Sequence, residues 1–156
     1  MATIRHLLID GSNILRAWPE LKALFQRDRE AAKAQLVRAV SPLPAPDGMR
    51  EQVVFDGSGK EIGISCPGAL PSFSIVTTPG GVTADDFIEQ WVGKAKEPAA
   101  CEVATADVAQ GRTVQALGGH WISPEDLAAW TNRAGGLVSA KRAGRVRAND
   151  RKWRVK

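Results

Sequence analysis

Short apolar runs that end in a small polar or acidic residue alternate along this chain with stretches whose apolar positions recur at helical spacing. Ile4–Ile9 reads as a buried strand stopping at Asp10-Gly11. A helical stretch runs from about Asn13 to Phe25 and is broken or restarted at Pro19, and Asp28 is placed to cap a further helix reaching Val40. The prolines of 41–48 (SPLPAPDG) force a loop. Val53–Phe55 is a second strand, again closed by Asp-Gly at 56–57, and the aperiodic stretch 57–72 reads as a surface excursion. Phe73–Thr77 is a third strand, followed by Pro-Gly-Gly at 79–81. Thr83 and Asp86 have the spacing of a capping box, and Ala84, Ile88, Trp91, Val92 and Ala95 share one face of the helix they open. Cys101–Thr105 is a fourth strand, Asp107 starts a helix to about Leu117, and His120–Ile122 is a short fifth strand. Ser123-Pro124 opens the last helix, which Gly135-Gly136 is expected to end. No segment repeats.

Strands apolar throughout, alternating with amphipathic helices, imply a parallel sheet covered on both faces. The expected class is α/β, a three-layer α/β/α sandwich on a mostly parallel, about five-stranded sheet. In that arrangement every strand's carboxyl end and every following helix's amino end gather on one edge.

With 156 residues the chain has room for one domain, expected over 1–134 and followed by a basic tail over 135–156. Its 44% apolar and 24% charged residues exclude a wholly disordered or collagen-like protein. No run approaches the ~20 apolar residues that span a bilayer. The opening MATIRHLLIDGSN turns polar too early for a signal peptide, so the expected setting is the cytoplasm, with no membrane partner. Cys66 and Cys101 have no CxxC companion and read as reduced thiols packed as small hydrophobes. The net charge of +4 conceals an asymmetry, because residues 141–156 hold eight Lys/Arg and one Asp, a local +7 on a mildly acidic body. In that tail Arg142, Arg145, Arg147, Arg151, Lys152 and Arg154 are candidates for RNA phosphates and Trp153 for stacking on a base, with a solvated tail as the alternative.

The carboxyl edge collects acids. Asp10 and Asp56 end the first two strands, Asp85 and Asp86 lie in the first turn after the third, and Asp107 follows the fourth. Each alone is as well explained by turn or cap chemistry. Turns do not require an acid after four successive strands, however, and carboxylates crowded at one edge repel unless a cation neutralises them. Oxygen ligands without histidine or thiolate favour Mg²⁺ or Mn²⁺ over zinc. Glu89, one turn after Asp85, is within reach of the same edge or is an exposed helix residue; Asn13 either begins a helix or orients a water or phosphate. GSGK (57–60) fails as a phosphate loop, since Val54 stands at its first glycine and Glu61 at its hydroxyl position, and no HExxH, CxxC or GxSxG occurs. His6 and His120 lie within strands and read as structural, and Trp18, Trp91, Trp121 and Trp130 as wholly or partly buried.

IDGSNILRAWPEL (9–21), VVFDGSG (53–59), TADDFIE (83–89) and VATADVAQGRTVQALGGHWISPEDL (103–127) together resemble the YacP-like NYN domains of the PIN-like nuclease superfamily. The resemblance covers about residues 4–130 and leaves the segment after Gly135 without a counterpart. It implies a metal-dependent ribonuclease, with Asp10, Asn13, Asp56, Asp85, Asp86 and Asp107 as site residues and the five acids as Mg²⁺ or Mn²⁺ ligands. Ala106 departs from the pattern, which often has a hydroxyl residue before its last acid. The implied partner is RNA (mRNA, tRNA or rRNA), free or presented by a ribosome. A non-catalytic RNA- or ribosome-binding module of the same fold is the alternative, against which the complete set of acids argues.

Overall fold

Leu7 and Ile9 point to one side of a strand and Leu8 to the other, and all three are fully buried, as a strand covered on both faces requires. This strand, β1 (His6–Asp10), lies inside the sheet of a computed structural model that describes residues 4–43, 49–67 and 72–141. It is followed by α1 (Gly11–Ala17), α2 (Pro19–Arg27), α3 (Arg29–Val40), β2 (Arg50–Phe55), β3 (Gly63–Ser65) and β4 (Phe73–Thr77). Then come α4 (Ala84–Lys94), β5 (Cys101–Ala104), α5 (Val108–Ala116), β6 (His120–Ile122) and α6 (Pro124–Lys141). The strands stand in the order β3-β4-β2-β1-β5-β6, parallel throughout except where β3 runs against β4.

Local chemistry sets most boundaries. Pro19 holds Trp18 extended (φ −83, ψ 122), which separates α1 from α2. Asp28 caps α3 through Ala31 N at 3.1 Å, and Ser123 Oγ accepts from Asp126 N at 3.1 Å to open α6. One face of the sheet packs Leu7, Ile9, Val53 and Phe55 against Ile14, Leu15, Leu21, Leu36 and Leu127. The other packs Leu8, Val54, Val76 and Val103 against Ile88 and Val92 of α4 and Val114 of α5. Trp91 is half-buried and meets His6 with ring centroids 4.6 Å apart, and Trp18, Trp121 and Trp130 are half-buried as well.

Three expectations need correction. The sheet has six strands, because the stretch 57–72 contains β3; three exposed residues are too few to show a period, and pairing with β4 alone defines them. Gly135-Gly136 does not end the last helix, which continues to Lys141. Glycine stops a helix by turning left-handed, and among the described residues only Gly81 and Gly118 have positive φ. Cys66 is exposed, and only Cys101 is packed as a small hydrophobe. The tail candidates Arg142, Arg145, Arg147, Arg151, Lys152, Trp153 and Arg154 lie outside the described residues.

Candidate active site

The carboxyl ends of β1, β2 and β5 and the amino ends of α1, α4 and α5 meet at one edge, and each junction carries an acid. Asp10 leaves β1 and caps α1, its Oδ1 accepting from Asn13 N at 3.1 Å. Gly11 follows because a Cβ there would lie 2.5 Å from the Phe55 ring, so only glycine lets α1 start against the end of β2. Asp56, just after β2, reaches across to α4, where its Oδ1 accepts from Ala84 N at 2.6 Å. Asp107 caps α5, its Oδ1 accepting from Ala109 N at 2.9 Å and Gln110 N at 3.3 Å. Three helix amino ends thus direct N–H groups and partial positive charge at three carboxylates. Among the described residues these bonds all run to Oδ1, leaving Oδ2 of each acid without a protein donor.

Asp85 lies in the first turn of α4, and its Oδ1 is buried with no hydrogen-bond partner. Glu89 stands one turn on, close enough for the two carboxyl groups to interact. Burial raises the pKa of both, and the neighbouring acids Asp86 and Asp107 raise it further. Asp10 is almost fully buried (4% exposed), and burial pushes its pKa up to about 6. The Asn13 backbone bond opposes that shift, while the charges of Asp56 and Asp85 add to it. Mutual repulsion therefore links Asp10, Asp56, Asp85, Asp86, Asp107 and Glu89.

Asp86 is the expected site residue with the most evident structural task. Its Oδ2 accepts from Thr83 N at 3.4 Å while Thr83 Oγ1 accepts from Asp86 N at 3.0 Å, a complete capping box. Asn13 uses its carbonyl oxygen to accept from Ala106 N at 2.7 Å, next to Asp107. Ser12 was not singled out as a site residue by sequence reasoning; its Oγ accepts from Asp56 N at 3.0 Å. Two adjacent residues of α1 therefore hold the loops bearing Asp56 and Asp107 on either side of Asp10. The signal was present as two small polar residues directly after Asp-Gly, but their partners are 44 and 93 positions away. Thr105, fully buried, likewise accepts from Asp107 N at 3.0 Å. His120 is exposed on β6, apart from this edge.

Among the described residues no three His, Cys, Asp or Glu side chains form a ready-made metal cage. The donors nonetheless fit a hard cation: they are all oxygen, they repel one another, and Asp85 Oδ1 is buried without a partner. Cations of this kind complete their shell with water where protein ligands are few.

A parallel sheet whose acids converge at the carboxyl edge, beside DGSN and TADD turns, defines an NYN-type domain. The sequence pattern of the YacP-like NYN domain matches residues 7–154, and the chain belongs to that family, within the PIN-like nuclease superfamily. The match reaches into the basic tail, so the segment after Gly135 does have a family counterpart. "Uncharacterized protein YacP" of Bacillus subtilis (strain 168) is 32% identical over 84 residues, 54% of this chain; the match spans about half (49%) of that relative's length. The crystal structure of Rae1 (YacP) from Bacillus subtilis superimposes with a TM-score of 0.68 at 25% identity, covering 90% of this chain and 79% of that one. Its W164L mutant gives the same TM-score at 24% identity, over 88% and 81% of the two chains.

Proposed function

We propose that the protein is a metal-dependent endoribonuclease that hydrolyses RNA phosphodiester bonds at the acid edge, leaving a 5′ phosphate and a 3′ hydroxyl. The observation that supports this most is the state of the carboxylates. Asp10, Asp56 and Asp107 each keep one oxygen on a helix amino end and, among the described residues, the other without a protein donor, and beside them Asp85 has a buried oxygen with no partner. A protein that only bound a polyanion would gain nothing from such an edge.

Asp10, Asp56, Asp85 and Asp107 would hold Mg²⁺ or Mn²⁺, with Asp86 close by; a bound ion of this kind lowers the pKa of its water and offsets charge on the leaving oxygen. The protein's own groups do the rest. The amino ends of α1, α4 and α5 hold the carboxylates in place, and Ser12 and Asn13 keep the flanking loops in register with Asp10. Glu89 stands beside Asp85, and burial together with the neighbouring carboxylates favours the protonated form of both. Residues 1–134 are read as the nuclease body, and the basic segment as the arm that adds phosphate contacts through Arg142, Arg145, Arg147, Arg151, Lys152 and Arg154, with Trp153 stacking on a base.

The test is incubation of the purified full chain with single-stranded, structured and ribosome-bound RNA in Mn²⁺, Mg²⁺ or EDTA, beside Asp10→Asn. Cleavage by the unmodified protein in either metal, absent in EDTA and in the variant, is the expected result. Intact RNA in every arm, or equal cleavage by Asp10→Asn, rejects the reading.

A further inference from the structure

An edge that gathers six carboxyl groups repels the strand it is proposed to cut. Cations must therefore stand near it, within the ~8–10 Å over which charge acts in physiological salt. Two exposed cations of the globule lie on segments that adjoin the edge. Lys60 ends the GSGK loop that begins right after Asp56, and Arg16 occupies the last turn of α1, a helix of only seven residues that starts next to Asp10. Among the described residues neither makes an ion pair; the pairs there are Arg5 with Glu102 and Lys33 with Glu30.

The GSGK loop does not cradle phosphate with its backbone, because it leads into β3 and not into a helix amino end. It is instead tied to the β4–α4 connection. Gly57 N donates to Thr78 Oγ1 at 3.3 Å, Gly80 N donates to Gly59 O at 2.8 Å, and a Cβ on Gly57 would lie 2.3 Å from Thr78 O. The same connection carries Ala84, whose N–H holds Asp56. The backbone that displays Lys60 is thus fixed to the segment that positions Asp56 and Asp85. On the other side, Arg16 is near enough to Asp10 to oppose the rise in its pKa.

We propose that Lys60 and Arg16 are phosphate-contacting residues of the globule, engaging backbone phosphates of a single RNA strand beside the one to be cut. This rests on RNA being the substrate. It gives the GSGK segment a task as a rigid mount for one cation, and it places part of RNA recognition on the folded body, next to the acids, independent of the basic tail.

The experiment measures binding of a labelled single-stranded RNA to the full chain in EDTA, across a salt series, in an Asp10→Asn background that prevents cleavage. Lys60→Ala and Arg16→Ala are compared with Lys96→Ala, an exposed lysine between α4 and β5 on the opposite edge. Each of the first two should reduce the slope of log K against log salt by about 0.7 and raise Kd about fivefold near 0.1 M salt, and Lys60→Arg should restore both. Lys96→Ala should change neither. An unchanged slope in Lys60→Ala or Arg16→Ala, an equal loss in Lys96→Ala, or no RNA binding by the parent overturns the proposal. A parent that binds RNA in this way, while the unmodified protein cuts none in Mn²⁺, defeats the nuclease reading and leaves this inference standing.

Discussion

Asp10 sits where burial and chemistry conflict: it ends a central strand, is nearly inaccessible, and faces other carboxylates. Its pKa, about 6 in the folded protein against 3.8 for the free side chain, makes ionisation destabilising. The penalty is absent below pH ~4, grows up to pH ~6 and is constant above, amounting to about 3 kcal/mol at most. Asp10→Asn should therefore melt higher than the unmodified protein in EDTA, with a difference that widens from pH 4 to 6; a difference independent of pH contradicts this. Adding Mn²⁺ should close most of that gap, because about 2.7 kcal/mol of binding stabilisation at a hundredfold excess over Kd would accrue only to the protein with the full acid set. A second residue poses a similar question away from the site. Glu51 is buried in β2, with neither carboxyl oxygen hydrogen-bonded and its pKa pushed up to about 9 by burial. Stability should decline as pH rises from about 4.5 through 9, and Glu51→Gln, which cannot ionise, should flatten that part of the pH profile in thermal melts.

Helix α4 separates two adjacent acids that the sequence presents as a pair. Asp86 closes the capping box with Thr83, whereas Asp85 has a buried oxygen without a partner. Asp86→Ala should lower stability by about 1 kcal/mol and leave much of the cleavage rate, while Asp85→Asn should remove cleavage with little loss of stability. Rates and melting temperatures of the two variants, measured together, check the division; equal loss of activity in both would make Asp86 a full member of the site. The first turn of α1 is the other element that organises the edge. Ser12→Ala removes the acceptor for Asp56 N and should destabilise by about 1 kcal/mol, with faster exchange of that amide by NMR. An Asp56 amide as protected as before would show that Ser12 does not hold the loop.

At the scale of the molecule the protein is an acidic edge on a body that continues into a strongly basic segment. Removing residues 142–156 deletes seven Lys/Arg and one Asp. The truncated protein should bind RNA more weakly and with a flatter salt dependence, while turnover at saturating substrate changes little. A salt slope identical to that of the full chain would assign the segment to something other than RNA. Among the described residues no helix is long and apolar enough to cross a membrane.

The elements and the gathering of acids were legible in the chain because they depend on local rules. Apolar runs made strands, Asp28, Thr83, Asp107 and Ser123 made caps, and parallel crossovers bring strand ends and helix starts to one edge whatever the details of packing. β3 was not legible, since three exposed residues are a strand only by virtue of pairing with β4. Nor was the end of α6, because glycine propensity is a weak bias that the backbone overrides when no left-handed turn forms. The tertiary structure alone decided the division of labour among the acids. Which oxygen is bound to a helix amino end, and which is left open, depends on contacts such as Asp56 to Ala84 and Asn13 to Ala106, between residues 28 and 93 positions apart. Local pattern carries no record of such pairings, because they arise only when separate strands are laid side by side in one sheet.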